Sequence, residues 1–109
     1  METKVEVYKE HSGTIRVSGG TLPKSAGKCA FYYLQKGLMP DFLVIGGNAN
    51  QQATKAMGVF CFMVKNSPEF TGIQVAFQPL MFHVNTSDSA GVTVEKTATV
   101  WRTLTVGKV

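Results

Sequence analysis

Polar and apolar residues change period along this chain in a way that separates strands from helices. Thr14-Ile-Arg-Val-Ser18 alternates, as a half-buried strand does, and Gly19-Gly20 closes it. Thr21-Leu-Pro-Lys24 puts a capping residue and an early proline where a helix should begin. From about Pro23 to Lys36 the period becomes helical. Ala26, Cys29, Ala30, Tyr33 and Leu34 share one arc, Lys24, Lys28 and Gln35 lie opposite, and Phe31 and Tyr32 fall on the flanks. Gly37 is the expected C-terminal stop.

After a connector at Leu38-Met-Pro-Asp41, the unbroken apolar run Phe42-Leu-Val-Ile45 predicts a central strand covered on both faces, or one at a subunit contact. Gly46-Gly47 ends it. Asn48 stands at the expected cap of a second helix that reaches about Val64, with Ala49, Ala53, Ala56, Met57, Phe60, Met63 and Val64 on one face. Gln51, Lys55, Gly58 and Phe62 occupy the other face. Beyond Asn66-Ser-Pro68 the pattern is β. Ile73, Val75 and Phe77 alternate with polar or small residues, and Pro79 marks a bulge or an edge. Asn85 to Gly91 reads as a mobile hairpin tip. In the last strand Val92, Val94, Ala98, Val100, Leu104 and Val106 define one face, while Thr93, Glu95, Thr97, Thr99, Trp101, Thr103 and Thr105 define the other. Arg102 interrupts the apolar period there, which predicts a bulge, an exposed end or an interface ion pair.

The predicted order is β-α-β-α-β-β: an α/β (α+β sandwich) fold with a mixed sheet, both helices on one face and a long C-terminal hairpin. Residues 1–13 form a short added strand or an arm, and 14–109 form one domain. With 109 residues there is room for one substantial core. No apolar run could span a bilayer and no signal peptide is evident, so a cytoplasmic protein is expected. Cys29 and Cys61 stand alone, with no metal-ligand or redox spacing.

The net charge of +4 gains meaning from its location. Between residues 14 and 65, Arg16, Lys24, Lys28, Lys36, Lys55 and Lys65 face Asp41 alone, whereas residues 66–109 are balanced. One half of the domain is therefore basic, which favours anionic partners.

Taken together, these motifs resemble the stage V sporulation protein S family and the wider Alba-like superfamily. The similarity is carried by Ile15-Arg-Val-Ser18, by Pro23-Lys-Ser-Ala-Gly-Lys28, and above all by Ile45-Gly-Gly-Asn-Ala-Asn-Gln-Gln-Ala-Thr-Lys-Ala56. Ile73 to Phe77 and the final strand complete it, over roughly residues 14–106. Alba-type proteins are dimers that bind DNA and RNA. Basic residues near the first helix, the loop before the second helix and the hairpin arms make their contacts. The resemblance thus implies a homodimer and a nucleic-acid surface comprising Lys24, Lys28, Gly46, Gly47, Asn48, Gln51, Lys55 and Lys96. Alba-type loops usually carry arginine or lysine where this chain has glycine and asparagine, which is closer to the sporulation protein.

The residues themselves allow this chemistry. Glycines at a strand-helix turn admit close backbone approach, and the amides of a helix start attract anions. The turn is neither a Walker loop nor GxGxxG. Lys24 and Lys28 sit four apart on a solvent-facing arc suited to phosphate contacts, which position a backbone without reading bases. Phe62 and Trp101, on nominally polar sides, suit base stacking or, better, a subunit interface. His11 and His83 have no nucleophile motif beside them, the carboxylates are scattered, and no metal-ligand spacing occurs. The expected function is non-enzymatic nucleic-acid binding without a cofactor. The alternatives are a protein-interaction module on the same fold, or a small-ligand binder using the glycine turn.

Overall fold

The computed structural model describes residues 7–87 and 90–106, with the backbone alone at 85–87 and 94. Strand β1 spans Thr14–Val17, helix α1 Pro23–Gln35, strand β2 Asp41–Val44 and helix α2 Gly47–Lys65. A 3-10 turn at Pro68–Phe70 leads into two long strands, β3 (Gln74–Ser87) and β4 (Thr93–Val106). The sheet order is β1-β2-β4-β3. The first pair is parallel and the other two are antiparallel.

Both helices pack on one face of this mixed sheet. Ile15, Val17, Phe42 and Val44 point into a core with Ala26, Ala30 and Leu34 of α1 and Ala49, Ala53, Ala56 and Phe60 of α2. The rings of Phe42, Phe60 and Phe77 meet at 6.1–6.4 Å between centroids. The small residues let the helices approach each other closely. At Gly27 an added Cβ would lie 2.7 Å from Val59 Cβ and 2.8 Å from the Ala56 carbonyl oxygen, so only glycine fits that crossing.

A second apolar cluster occupies the opposite face, because strand side chains alternate. Leu43 is buried there with Val84, Ala98, Val100 and Tyr8. Phe42, Leu43 and Val44 are consequently buried, as the unbroken apolar run predicts for a central strand. Ile45 at its end is half-buried, and Asp41, expected in the connector, begins the strand and is buried too. The apolar period of β4 belongs to this second face, away from the helices. Its other face, with Trp101 and the buried Thr103, turns toward the helix layer. Periodicity separates the two faces without telling which one meets the helices.

Several local expectations change in the structure. The β1-α1 turn uses Thr21 internally, its Oγ1 accepting from the Ser18 N–H at 2.8 Å, while Leu22 takes the N-cap position without a side-chain cap. Asn48 does not cap α2 either. Gly46 holds the N-cap at φ 95°, a conformation open to glycine, and Asn48 falls inside the first turn, where its side chain makes no cap bond. At the other end of α1, Gly37 N–H donates to Leu34 and Leu38 N–H to Tyr33, a Schellman closure. Pro79 pairs with Trp101 in unbroken register, so it marks the edge strand and not a bulge. Arg102 also sits in regular register, opposite Asp41. Of the expected hairpin tip, Asp88 and Ser89 lie outside the described residues, as do residues 1–6 of the N-terminal arm.

Candidate functional site

Strand direction gathers several of the candidate residues at one end of the sheet. β1 and β2 run parallel, so the turns after them, Ser18–Thr21 and Ile45–Gly47, emerge at the same edge together with the N-termini of α1 and α2. The first of these turns touches the start of α2. Gln52 Nε2 donates to the Gly19 carbonyl at 3.2 Å, and a Cβ on Gly19 would lie 3.3 Å from Asn48 Cβ. Gly46 and Gly47 have open space around them, with nothing within 4 Å of an added Cβ.

The helices present two exposed stripes above these turns. On α1, Lys24, Lys28, Tyr32 and Gln35 are exposed at successive turns; on α2 the stripe is Asn48, Gln51, Lys55, Gly58 and Phe62. Lys36 Nζ lies 4.4 Å from the Tyr32 ring centroid, a cation-π contact. Neither helix contains an aspartate or a glutamate, so Lys24, Lys28, Lys55 and Lys65 have no compensating charge on their own elements. Among the described residues, none of these lysines forms an ion pair. Phe62, 68% exposed, is the most open aromatic of this layer. Trp101 instead packs partly into the helix-side core. Phe31 is likewise half-buried, edge-on to Phe70 at 5.7 Å.

Lys96 stands apart from this group. β4 pairs with β2 at Thr99–Arg102, so residues before Thr99 extend past the end of β2 on the same side as the glycine turns. Lys96 is three residues along this arm, on the order of 10 Å out. It alternates with Ala98 and Val100, so it lies on the sheet face turned away from the helices. Glu95, on the helix side of the arm, pairs with His83 at 3.0 Å. The structure therefore brings Lys24, Gly46, Gly47 and Asn48 to one end. Gln51 lies one turn along, Lys28 and Lys55 lie further along the exposed stripes of the same helix layer, and Lys96 is on the other face.

A second constellation is barely signalled in the sequence. Residues 7–13 form a strap across the second sheet face, from a bridge between Val7 and His83 to the start of β1. Its anchor is Asp41, only 4% exposed. Tyr8 Oη donates to Asp41 Oδ2 at 3.0 Å, His11 Nε2 lies 2.8 Å from the same oxygen, and Arg102 Nε approaches Oδ1 at 4.0 Å. His11 Nδ1 accepts from the Gly13 N–H at 3.0 Å, which puts the ring proton on Nε2, donated to Asp41. Glu10 clamps Arg16 of β1 with two hydrogen bonds, and this pairing lowers the Glu10 pKa and raises that of Arg16. Burial pushes the Tyr8 hydroxyl up to about 12. The hydrogen bond with Thr14 opposes that shift, and the one to Asp41 adds to it.

The chemistry of this hub is that of a fastener. Both imidazole nitrogens of His11 are engaged within the hub, one with Asp41 and one with the Gly13 backbone. The one signal in the sequence was Arg102, a cation in an apolar period. Its partner lies 61 positions earlier, and only the β2-β4 register joins them.

No helix among the described residues is long and apolar enough to cross a membrane. Among the described residues, no group of three histidines, cysteines or carboxylates could hold a metal ion. No protein-family model matches this chain, and comparison with curated proteins finds no match.

Proposed function

We propose that this is a non-enzymatic, cytoplasmic nucleic-acid-binding protein that grips the phosphate backbone through the end of its helix layer. The observation that carries this reading is a helix layer with lysines and no carboxylates, whose two helix starts and two glycine turns share one sheet end. Lys24, Lys28 and Lys55 supply charge, and the amides at Gly46, Gly47 and Asn48, with the Gln51 side chain, supply neutral donors. Lys96, from the opposite face of the hairpin arm, serves a backbone that wraps the edge. The resemblance to the Alba-like superfamily and to stage V sporulation protein S supports the same reading. Contacts of this kind are insensitive to sequence and steeply sensitive to salt.

The test is a titration of duplex DNA, single-stranded DNA and RNA by fluorescence anisotropy at several salt concentrations. Replacing both Lys24 and Lys28 by alanine is expected to weaken binding to every sequence alike. It should also make the slope of log K against log salt shallower by about 2, one for each lysine that no longer neutralises a phosphate. Absence of binding at low salt would sink this reading.

One observation favours a protein partner as well. Phe62 lies exposed on the α2 stripe beside Gly58 and Lys55, where a large aromatic is suited to a subunit contact. We infer a homodimer through this helix face. A monomer by light scattering at high protein concentration would refute it. If nucleic acid fails to bind, a protein-interaction module on the same fold becomes the preferred function.

A further inference from the structure

Beside the Asp41 hub, on the face away from the helices, an open cleft of about 580 Å³ runs between the strap and the sheet. That volume lies within the range of small-molecule sites, roughly 300–1,000 Å³. Its walls combine two kinds of side chain. Met39 and Phe82 are apolar, whereas Lys9 and Arg102 are cationic and sit with Tyr8 and Asp41.

The cations are the informative part. Asp41 Oδ2 already accepts from Tyr8 and His11, so its charge is satisfied by short hydrogen bonds from the strap. Arg102 stays at 4.0 Å from Oδ1, beyond hydrogen-bond length, and its side chain donates no hydrogen bond to any described residue. A guanidinium offers five N–H donors in a fork that matches a carboxylate, and here that fork is uncommitted. Lys9, exposed on the strap, has no ion pair among the described residues. Lys9 and Arg102 against Asp41 leave one net positive charge, which one monoanion neutralises. A phosphate dianion would bring a second negative charge close to Asp41.

We propose that this cleft binds a small carboxylic acid with an apolar body, its carboxylate held by Arg102 and Lys9 and its body against Phe82 and Met39. Lys9 belongs to the strap and Arg102 to the sheet, so the bound acid ties the two together. The site is separate from the proposed contacts of the helix layer; of the proposed nucleic-acid residues, Lys96 alone shares its sheet face, out on the hairpin arm.

The test uses the full chain with phenylacetate and hexanoate as probes, and phenylacetamide and inorganic phosphate as controls. Isothermal titration should show binding of at least one acid, and that acid should slow trypsin cleavage after Lys9. The amide and the phosphate should bind more weakly. Arg102→Gln should weaken the acid by about 10-fold or more, as expected when a charge-assisted pair is removed. Lys9→Gln, on the exposed strap where folding is not at stake, should weaken it in the same direction. Equal binding of phenylacetate and phenylacetamide, equal or tighter binding of phosphate, unchanged affinity in Lys9→Gln, or no heat from either acid at millimolar concentration would overturn the proposal.

Discussion

Asp41→Ala is expected to destabilise the fold by about 3 kcal/mol, measured by urea denaturation, because it strands every group that converges on the carboxylate. A hydrogen bond to a buried charge contributes about 1.5–3 kcal/mol, and removing one member of a buried pair costs about 3–5 kcal/mol. The lower end applies, since the His11 and Arg102 side chains are each nearly half exposed and regain water when Asp41 is gone. Asp41→Asn keeps the shape and one acceptor, so it should lose less. A loss below about 1 kcal/mol in Asp41→Ala would mean that the hub does not hold the strap.

The same hub has a pH signature. Tyr8 titrates near 12 in the folded protein, chiefly because of burial, against 10 as its ordinary value. A folded-state pKa raised above the unfolded one stabilises fully below pH 10, and that contribution is lost as pH rises from 10 through 12. In Asp41→Ala the nearby negative charge disappears. The Tyr8 transition, isolated by subtraction of Tyr8→Phe at 295 nm, should then move down toward 10.

Gly27→Val should be at least as damaging, with an expected loss of about 3 kcal/mol or more. Glycine inside a helix is disfavoured by about 1 kcal/mol relative to alanine, so its presence in α1 needs a compensating gain. The gain is the close approach of the two helices, where a Cβ would meet Val59 at 2.7 Å and the Ala56 backbone at 2.8 Å. Overpacking costs about 1–3 kcal/mol when side chains can shift, and more when the obstacle is backbone. Gly27→Ala should therefore destabilise as well, by less, because better helix propensity offsets part of the clash. Gly58 supplies the contrast. It sits mid-helix in α2, exposed, with nothing within 4 Å of an added Cβ. Gly58→Ala is expected to stabilise by about 0.5–1 kcal/mol. Thermal melts on these three variants, run dilute enough that no second copy covers the α2 face, check both signs.

Several features of this protein follow from sequence alone, because they depend on neighbours close along the chain. Helical and strand periods are local properties, so Ala26, Ala30 and Leu34 mark the buried face of α1 and Ile15 and Val17 that of β1 before any contact is known. The burial of Phe42, Leu43 and Val44 and the stop at Gly37 are legible for the same reason. Capping residues are less secure. Thr21 and Asn48 each stand within two residues of a cap, and the backbone at Leu22 and Gly46 took that position instead.

What only the tertiary structure decided involves residues far apart. The basic character of both helices is a matter of composition. The meeting of their starts at one sheet end depends on the parallel pairing of β1 with β2, and the isolation of Lys96 depends on the parity of its register with Val84. Asp41, read from sequence as part of a connector, became the centre of a buried hub once β4 brought Arg102 opposite it and the strap delivered Tyr8 and His11. No periodic pattern encodes such a meeting, since each partner looks ordinary in its own stretch. Burial of the carboxylate arises only when three distant segments close around it.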